Sequence, residues 1–184
     1  MKTKFLLFLL FTVLLLPMPS FAMVFDFSFL GGVTSSGYQY DESLDVGVSR
    51  KAGFGVGALI ATEVSRFVSL ETGLLYLTHN FSVTQGGVTE DRKLDFVNLP
   101  VLLRFVPITP AAFYFGPYYG IETGSNSSDY GFLAGVGYRH ILGPNVKLRI
   151  DGFYQYGLNN LDSNQRTQNS RNWFALAGIM IETW

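Results

Sequence analysis

Residues 94–123, LDFVNLPVLLRFVPITPAAFYFGPYYGIET, constrain the fold more than any other stretch of the chain. Val97, Leu99, Val101, Leu103 and Phe105 recur at every second position, separated by Asn98, Pro100, Leu102 and Arg104. After a Pro-containing break at 107–111 the alternation resumes. Phe113, Phe115, Pro117, Tyr119 and Ile121 fall on one side; Tyr114, Gly116, Tyr118, Gly120 and Glu122 fall on the other. Period-two alternation predicts two β-strands, and the short break makes them a hairpin. Its uniform face is apolar, while the opposite face carries Arg104 and Glu122. Such a hairpin either drives charges into a core or sets its apolar face against lipid. The rest of the chain decides for lipid.

The same pattern predicts eight strands, at 24–33, 52–63, 68–78, 94–106, 112–123, 130–142, 146–158 and 172–183. Their lengths approach the roughly 9–11 residues with which a tilted strand crosses a bilayer. The connections alternate: polar at 34–51, 79–93, 124–129 and 159–171, short at 64–67, 107–111 and 143–145. Short turns on one side and longer polar loops on the other describe an even-stranded membrane barrel with its loops outside. One face runs through Phe27, Phe54, Leu74, Val101, Phe115, Val136, Ile150 and Ile179 without a charge. The other carries Asp26, Glu63, Glu71, Arg104, Glu122, Arg139, Lys147, Arg149, Asp151 and Glu182.

Energetics choose between the two faces. A Lys or Arg at the lipid midplane of a barrel costs about 2–4 kcal/mol. A one-residue slip inverts every side chain of a strand, so lipid on one side and ionic pairs on the other set the register. The expected partners lie on neighbouring strands, for example Glu71 or Glu122 with Arg104. Aromatic residues, which favour membrane–water boundaries, mark both edges. Phe54, Tyr76, Phe132, Tyr154, Tyr156 and Trp173 fall at the external end; Phe25, Phe105, Phe113, Tyr138 and Trp184 fall at the periplasmic end. Inward glycines make room for large side chains and allow the coiling that closure demands. Pro100 and Pro117 each remove a ladder donor, so a bulge or an unpaired carbonyl is expected at each.

Composition agrees. Charged residues are 15% of the chain against roughly 25% in a typical soluble domain, and hydrophobic residues 48%. A net charge of −1 without a basic patch argues against a nucleic-acid partner. The absence of Cys removes disulfides and thiolate chemistry. Residues 1–22 have the form of a secretory signal peptide: Lys2 and Lys4, an apolar run from Phe5 to Leu16, and small residues at Ser20 and Ala22. A single barrel domain over 23–184 would follow it.

The motifs FVNLPVLLRF at 96–105, FYFGPYYG at 113–120 and YQYGLNN at 154–160 resemble the small porin-family outer-membrane β-barrel domain. The resemblance implies an all-β, eight-stranded antiparallel up-and-down transmembrane barrel of the OmpA and OmpX type. It also implies the outer membrane of a diderm bacterium as the location, with outer-membrane lipid and the barrel-assembly machinery, which reads an aromatic end such as Trp184, as partners.

Enzymatic chemistry has little to stand on. Only His79 and His140 offer a base, and they are expected at opposite ends, His79 on the external rim and His140 by a periplasmic turn. Two histidines do not make a metal site, and no cofactor is expected. Tyr38, Tyr40, Asp41, Glu42 and Asp45 read as a solvated loop open to an external partner. The expected function is therefore non-enzymatic: a structural or surface-interaction barrel whose lumen is filled by paired charges. The alternative is a narrow porin-like channel for ions or small solutes.

Overall fold

A computed structural model describes residues 24–39, 46–124, 127–158 and 169–183. The segment expected to be a signal peptide, residues 40–45 and Trp184 lie outside the described residues. Eight antiparallel strands follow one another around a closed barrel: β1 (Phe25–Gln39), β2 (Val46–Ser65), β3 (Val68–Gln85), β4 (Val88–Ile108), β5 (Ala111–Glu122), β6 (Ser128–Ile141), β7 (Val146–Gly157) and β8 (Asn169–Thr183). β1 closes the ring against β8, with Phe25 opposite Thr183 and Gln39 opposite Asn169. Among the described residues no helix is long and apolar enough to cross a membrane; the crossing is made by strands.

The barrel is inside out. Phe29, Phe115 and Val136 on its outer surface are 58–59% exposed, whereas Glu71 and Arg149 within it are fully buried. The outward apolar residues form a continuous band around the ring, far larger than the few hundred Å² that a soluble monomer leaves bare. On β4 the band runs from Val97 to Phe105 and on β5 from Phe113 to Ile121. Both spans lie within the roughly 9–11 residues needed to cross a bilayer.

Strand lengths are uneven. β2, β3 and β4 have 20, 18 and 21 residues, while β5 and β7 have 12 each. The three long strands project beyond the band at the end opposite the short turns. The segment 79–93, expected to be a loop, is thus a hairpin. Its ladder stays in register from His79–Leu94 to Gln85–Val88, and Gly86 and Gly87 turn it with φ of 58° and 81°. Two successive positive φ angles are the mark of a tight two-residue hairpin turn, which glycine adopts without steric penalty.

The prolines do not bulge the sheet. β4 and β5 keep one register from Leu99–Tyr119 to Leu103–Phe115, with the ladder interrupted between Pro100 and Leu103. The Pro100 carbonyl accepts a hydrogen bond from Thr72 Oγ1 at 2.8 Å. The register shifts elsewhere, between Lys51 and Gly55 on β2, Glu63 and Ser65 on β2, and Phe105 and Ile108 on β4. Curvature depends on close strand approach at glycines. A Cβ on Gly178 would sit 1.8 Å from the Phe29 carbonyl oxygen.

Candidate functional site

Strand alternation sends every second residue into the lumen, and there the side chains sort into three layers. Nearest the short turns is an ionic network. Arg149 on β7 reaches across the lumen to Glu71 on β3 with two hydrogen bonds, of 2.7 and 2.8 Å. Its Nε donates to Asp151 at 2.5 Å, and Nη1 donates to Ser28 at 2.9 Å. Arg104 donates to Asp26 at 2.5 Å and to Ser69 at 3.0 Å, and lies 3.7 Å from Glu71. Tyr114 links a third arginine to the network: its hydroxyl donates to Asp151 at 2.9 Å and accepts from Arg139 at 2.7 Å. The Arg149 guanidinium also lies over the Tyr114 ring, 5.2 Å from its centroid. The network therefore runs from Asp26 through Arg104, Glu71, Arg149, Asp151 and Tyr114 to Arg139.

Six of the ten charges placed inward by alternation meet here, all buried. The other four do not. Lys147 and Glu182 pair with each other, half-buried, at the short-turn mouth, and Glu63 is exposed at the same mouth. Glu122 lies at the far end of β5, level with Phe96, and takes no part in the Arg104 cluster. Arg104 meets Glu71 on the neighbouring strand at 3.7 Å, as expected, and Lys147–Glu182 joins neighbouring β7 and β8, but two further pairs do not link neighbours. Arg104–Asp26 joins β4 to β1, and Arg149–Glu71 joins β7 to β3. An eight-stranded barrel is narrow enough for side chains from opposite walls to meet at its axis.

The middle layer is apolar. Leu30, Leu59, Leu75, Leu102, Leu133, Phe153, Phe174 and Leu176 all point inward into one cluster with Leu77. Leu75, Leu77, Leu102 and Leu133 have no exposed surface. Phe153 stacks on Phe174 at 5.0 Å and leans on Tyr114 at 5.1 Å, joining this layer to the ionic one.

The third layer, at the long-strand end, is mostly neutral and polar. Tyr118 donates to Asp129 at 2.7 Å and Ser170 donates to the same carboxylate at 2.9 Å. His79 is 1% exposed, its Nδ1 in contact with the Ser36 hydroxyl and its ring edge-on to Phe96 at 5.4 Å. The expected rim histidine is thus an interior one, because β3 does not end at Thr78 but continues to Gln85. Ser36 is itself fully buried. His140 is exposed on the outer wall, stacked on Tyr138 at the short-turn end. Among the described residues no group of three His, Asp or Glu side chains is arranged to hold a metal.

The boundary aromatics occupy the outer wall. Phe54 packs on Tyr76 at 5.8 Å, Tyr154 on Trp173 at 4.6 Å, and Phe132 on Phe115 at 5.9 Å. Arg171 covers Tyr156 at 6.0 Å. Phe105, Phe113 and Tyr138 are exposed toward the short-turn end, and Phe25 is half-buried there.

Fold and lumen together define an eight-stranded transmembrane β-barrel with a packed interior. No protein-family model matches the chain, nor does any curated protein sequence. Among solved structures, the barrel is similar to the outer membrane protein OprG from Pseudomonas aeruginosa. The TM-score is 0.58 at 11% identity, over 88% of this chain and 95% of that one. It is also similar to Neisserial surface protein A, with a TM-score of 0.52 at 16% identity, over 85% of this chain and 97% of that one. At these identities the likeness is one of fold.

Proposed function

We propose that this chain is an integral outer-membrane protein that closes its own lumen and acts through the surface it displays outside the cell. The observation that carries this reading is the apolar middle layer, in which four leucines from β3, β4 and β6 have no exposed surface. Ions do not cross a dry, filled layer of this kind, because each would be stripped of water with nothing to replace it. The ionic network beneath stabilises closure rather than lining a path, since its arginines and carboxylates are bonded to one another directly or through Tyr114. The solved barrels it resembles in fold, an outer membrane protein and a bacterial surface protein, support the location.

Short turns in barrels of this kind face the periplasm. This orientation puts the projecting β2–β3–β4 sheet outside, with Lys51, Asp91, Arg92 and Lys93 on it. A signal peptide at 1–22 would export the chain, and the barrel-assembly machinery would insert it. A non-enzymatic role fits the burial of Ser36 and His79 together, since a nucleophile and its base must reach a substrate. Planar-bilayer recording of the purified barrel tests the reading: no steady conductance is expected. Steady steps that disappear in an Arg104→Gln variant would overturn it in favour of a channel. Protease added to intact cells checks the orientation, with cleavage expected near Gly86-Gly87 and none at Arg66-Phe67.

A further inference from the structure

A cavity of about 180 Å³ opens inside the barrel at the short-turn mouth, below the ionic network. Its charged lining is predominantly basic: Arg66, Arg104, Arg139 and Lys147 against Glu63 and Glu182. Two of these arginines are deeply buried, Arg139 at 6% and Arg104 at 4% exposure, and the Nε of each has no hydrogen-bond partner. Arg104 has Asp26 as its counter-ion and Lys147 has Glu182. Arg139 differs from both. Among the described residues no carboxylate is in ion-pair contact with it, and it reaches Asp151 only through the Tyr114 hydroxyl.

A buried cation without a direct counter-charge is costly, and an unfilled N–H on the same group adds to that cost. The uncompensated charge lies on the lining of the cavity. A guanidinium offers a planar fork of donors that matches an oxyanion. The cavity has room for such an anion with a few waters, since water occupies about 30 Å³ in the liquid. We infer that the short-turn mouth is a binding site for a small soluble oxyanion of the phosphate class, held by Arg139 with Arg104, Lys147 and Arg66 around it. The occupant is a soluble anion rather than a lipid headgroup because the cavity lies within the lumen, where the barrel wall separates it from the bilayer. The proposed orientation makes that anion periplasmic; binding itself does not depend on the orientation.

The test uses the full barrel refolded in a non-ionic, phosphate-free detergent, with inorganic phosphate as the probe in equilibrium dialysis. Saturable binding is expected, weakened at least tenfold in Arg139→Gln and unchanged in Arg171→Gln, a basic residue on the outer wall at the opposite end. Should Arg139→Gln fail to fold, judged by gel mobility with and without heating, Arg66→Gln serves instead. Arg66 sits on an exposed turn, and a loss of at least threefold is expected there. No saturable binding to the unmodified barrel would overturn the site. So would equal affinity in the mouth variants, or an equal loss in Arg171→Gln. Displacement of bound phosphate by phosphatidylglycerol added to the micelles would overturn the assignment to a soluble anion.

Discussion

The lumen is filled twice, by different physics, within the height of one membrane. Near the short turns, Asp26, Glu71, Arg104, Arg139, Arg149 and Asp151 are held by directed bonds, those of Arg104 to Asp26 and Arg149 to Glu71 crossing the axis. A few residues further along the same strands, Leu30, Leu75, Leu102 and Leu133 fill the section by shape alone. The ionic layer tolerates little change: its members hold one another directly or through Tyr114, and removing one strands its partners. The apolar layer loses volume in proportion to what is removed. The first layer therefore governs whether the barrel stands, and the second whether it is shut.

The contrast can be broken by substitution, starting with the largest expected effect. Arg149→Ala should destabilise the barrel by about 3–5 kcal/mol, because Glu71 and Asp151 are left buried without their guanidinium. Urea unfolding followed by heat-dependent gel mobility measures it, and a loss near zero would mean that the network is ornamental. Leu133→Ala should cost about 2–5 kcal/mol, the spread reflecting how far the layer collapses into the space. Paired with Leu75→Ala, it should also raise bilayer conductance, which Arg149→Ala in refolded protein should do far less.

Outside the band, effects should stay local. Gly86→Val places a branched side chain at a φ of 58°. The left-handed conformation costs about 1–2 kcal/mol for an L-residue. Amide exchange should quicken in the β3–β4 hairpin while the unfolding midpoint of the barrel is unmoved.

The smallest effect concerns pH. Asp91 accepts hydrogen bonds from Lys51 at 2.7 Å and Ser82 at 2.8 Å. The Lys51 bond, followed by that from Ser82 and the Lys51 charge, holds the Asp91 carboxyl below its ordinary value of 3.8. A lowered carboxyl stabilises the fold above the unfolded value and loses that contribution as pH falls through the folded one. Hairpin protection, corrected for intrinsic exchange, should thus hold from neutral pH to roughly 4 and fall only below it. A loss beginning near neutrality would rule Asp91 out as its source.

Much of this was legible in alternation. Arg104 and Glu122 opposite an apolar face announced an inverted barrel, and the strand count followed. The leucine layer was hidden for a physical reason. Leu102 stands between Val101 and Leu103, and Leu75 between Leu74 and Tyr76, so both faces of the strand are apolar and period two has no contrast to show. The strand ends were hidden by the opposite case: beyond Thr78 polar residues stand on both faces, and His79, Phe81 and Ser82 are nonetheless buried. Gly86-Gly87 was the available signal for a hairpin there. Glu71 was legible as a partner of Arg104 on the next strand, whereas Arg104–Asp26 and Arg149–Glu71 were beyond reach, because contacts across an axis depend on barrel diameter and strand stagger rather than on sequence neighbours. His79 was misplaced through the misjudged end of β3, and with it the Ser36 contact.

The absence of cysteine allows the closed layer to be probed directly. Single substitutions Thr123→Cys, Leu176→Cys and Glu182→Cys place one thiol at each end and one in the apolar layer. The refolded barrels in sealed vesicles are then exposed to a membrane-impermeant thiol reagent. Closure predicts that each end position reacts from its own side and that Leu176→Cys reacts from neither. Labelling of Leu176→Cys at a rate comparable with the ends would show water through the middle of the lumen and contradict a sealed barrel.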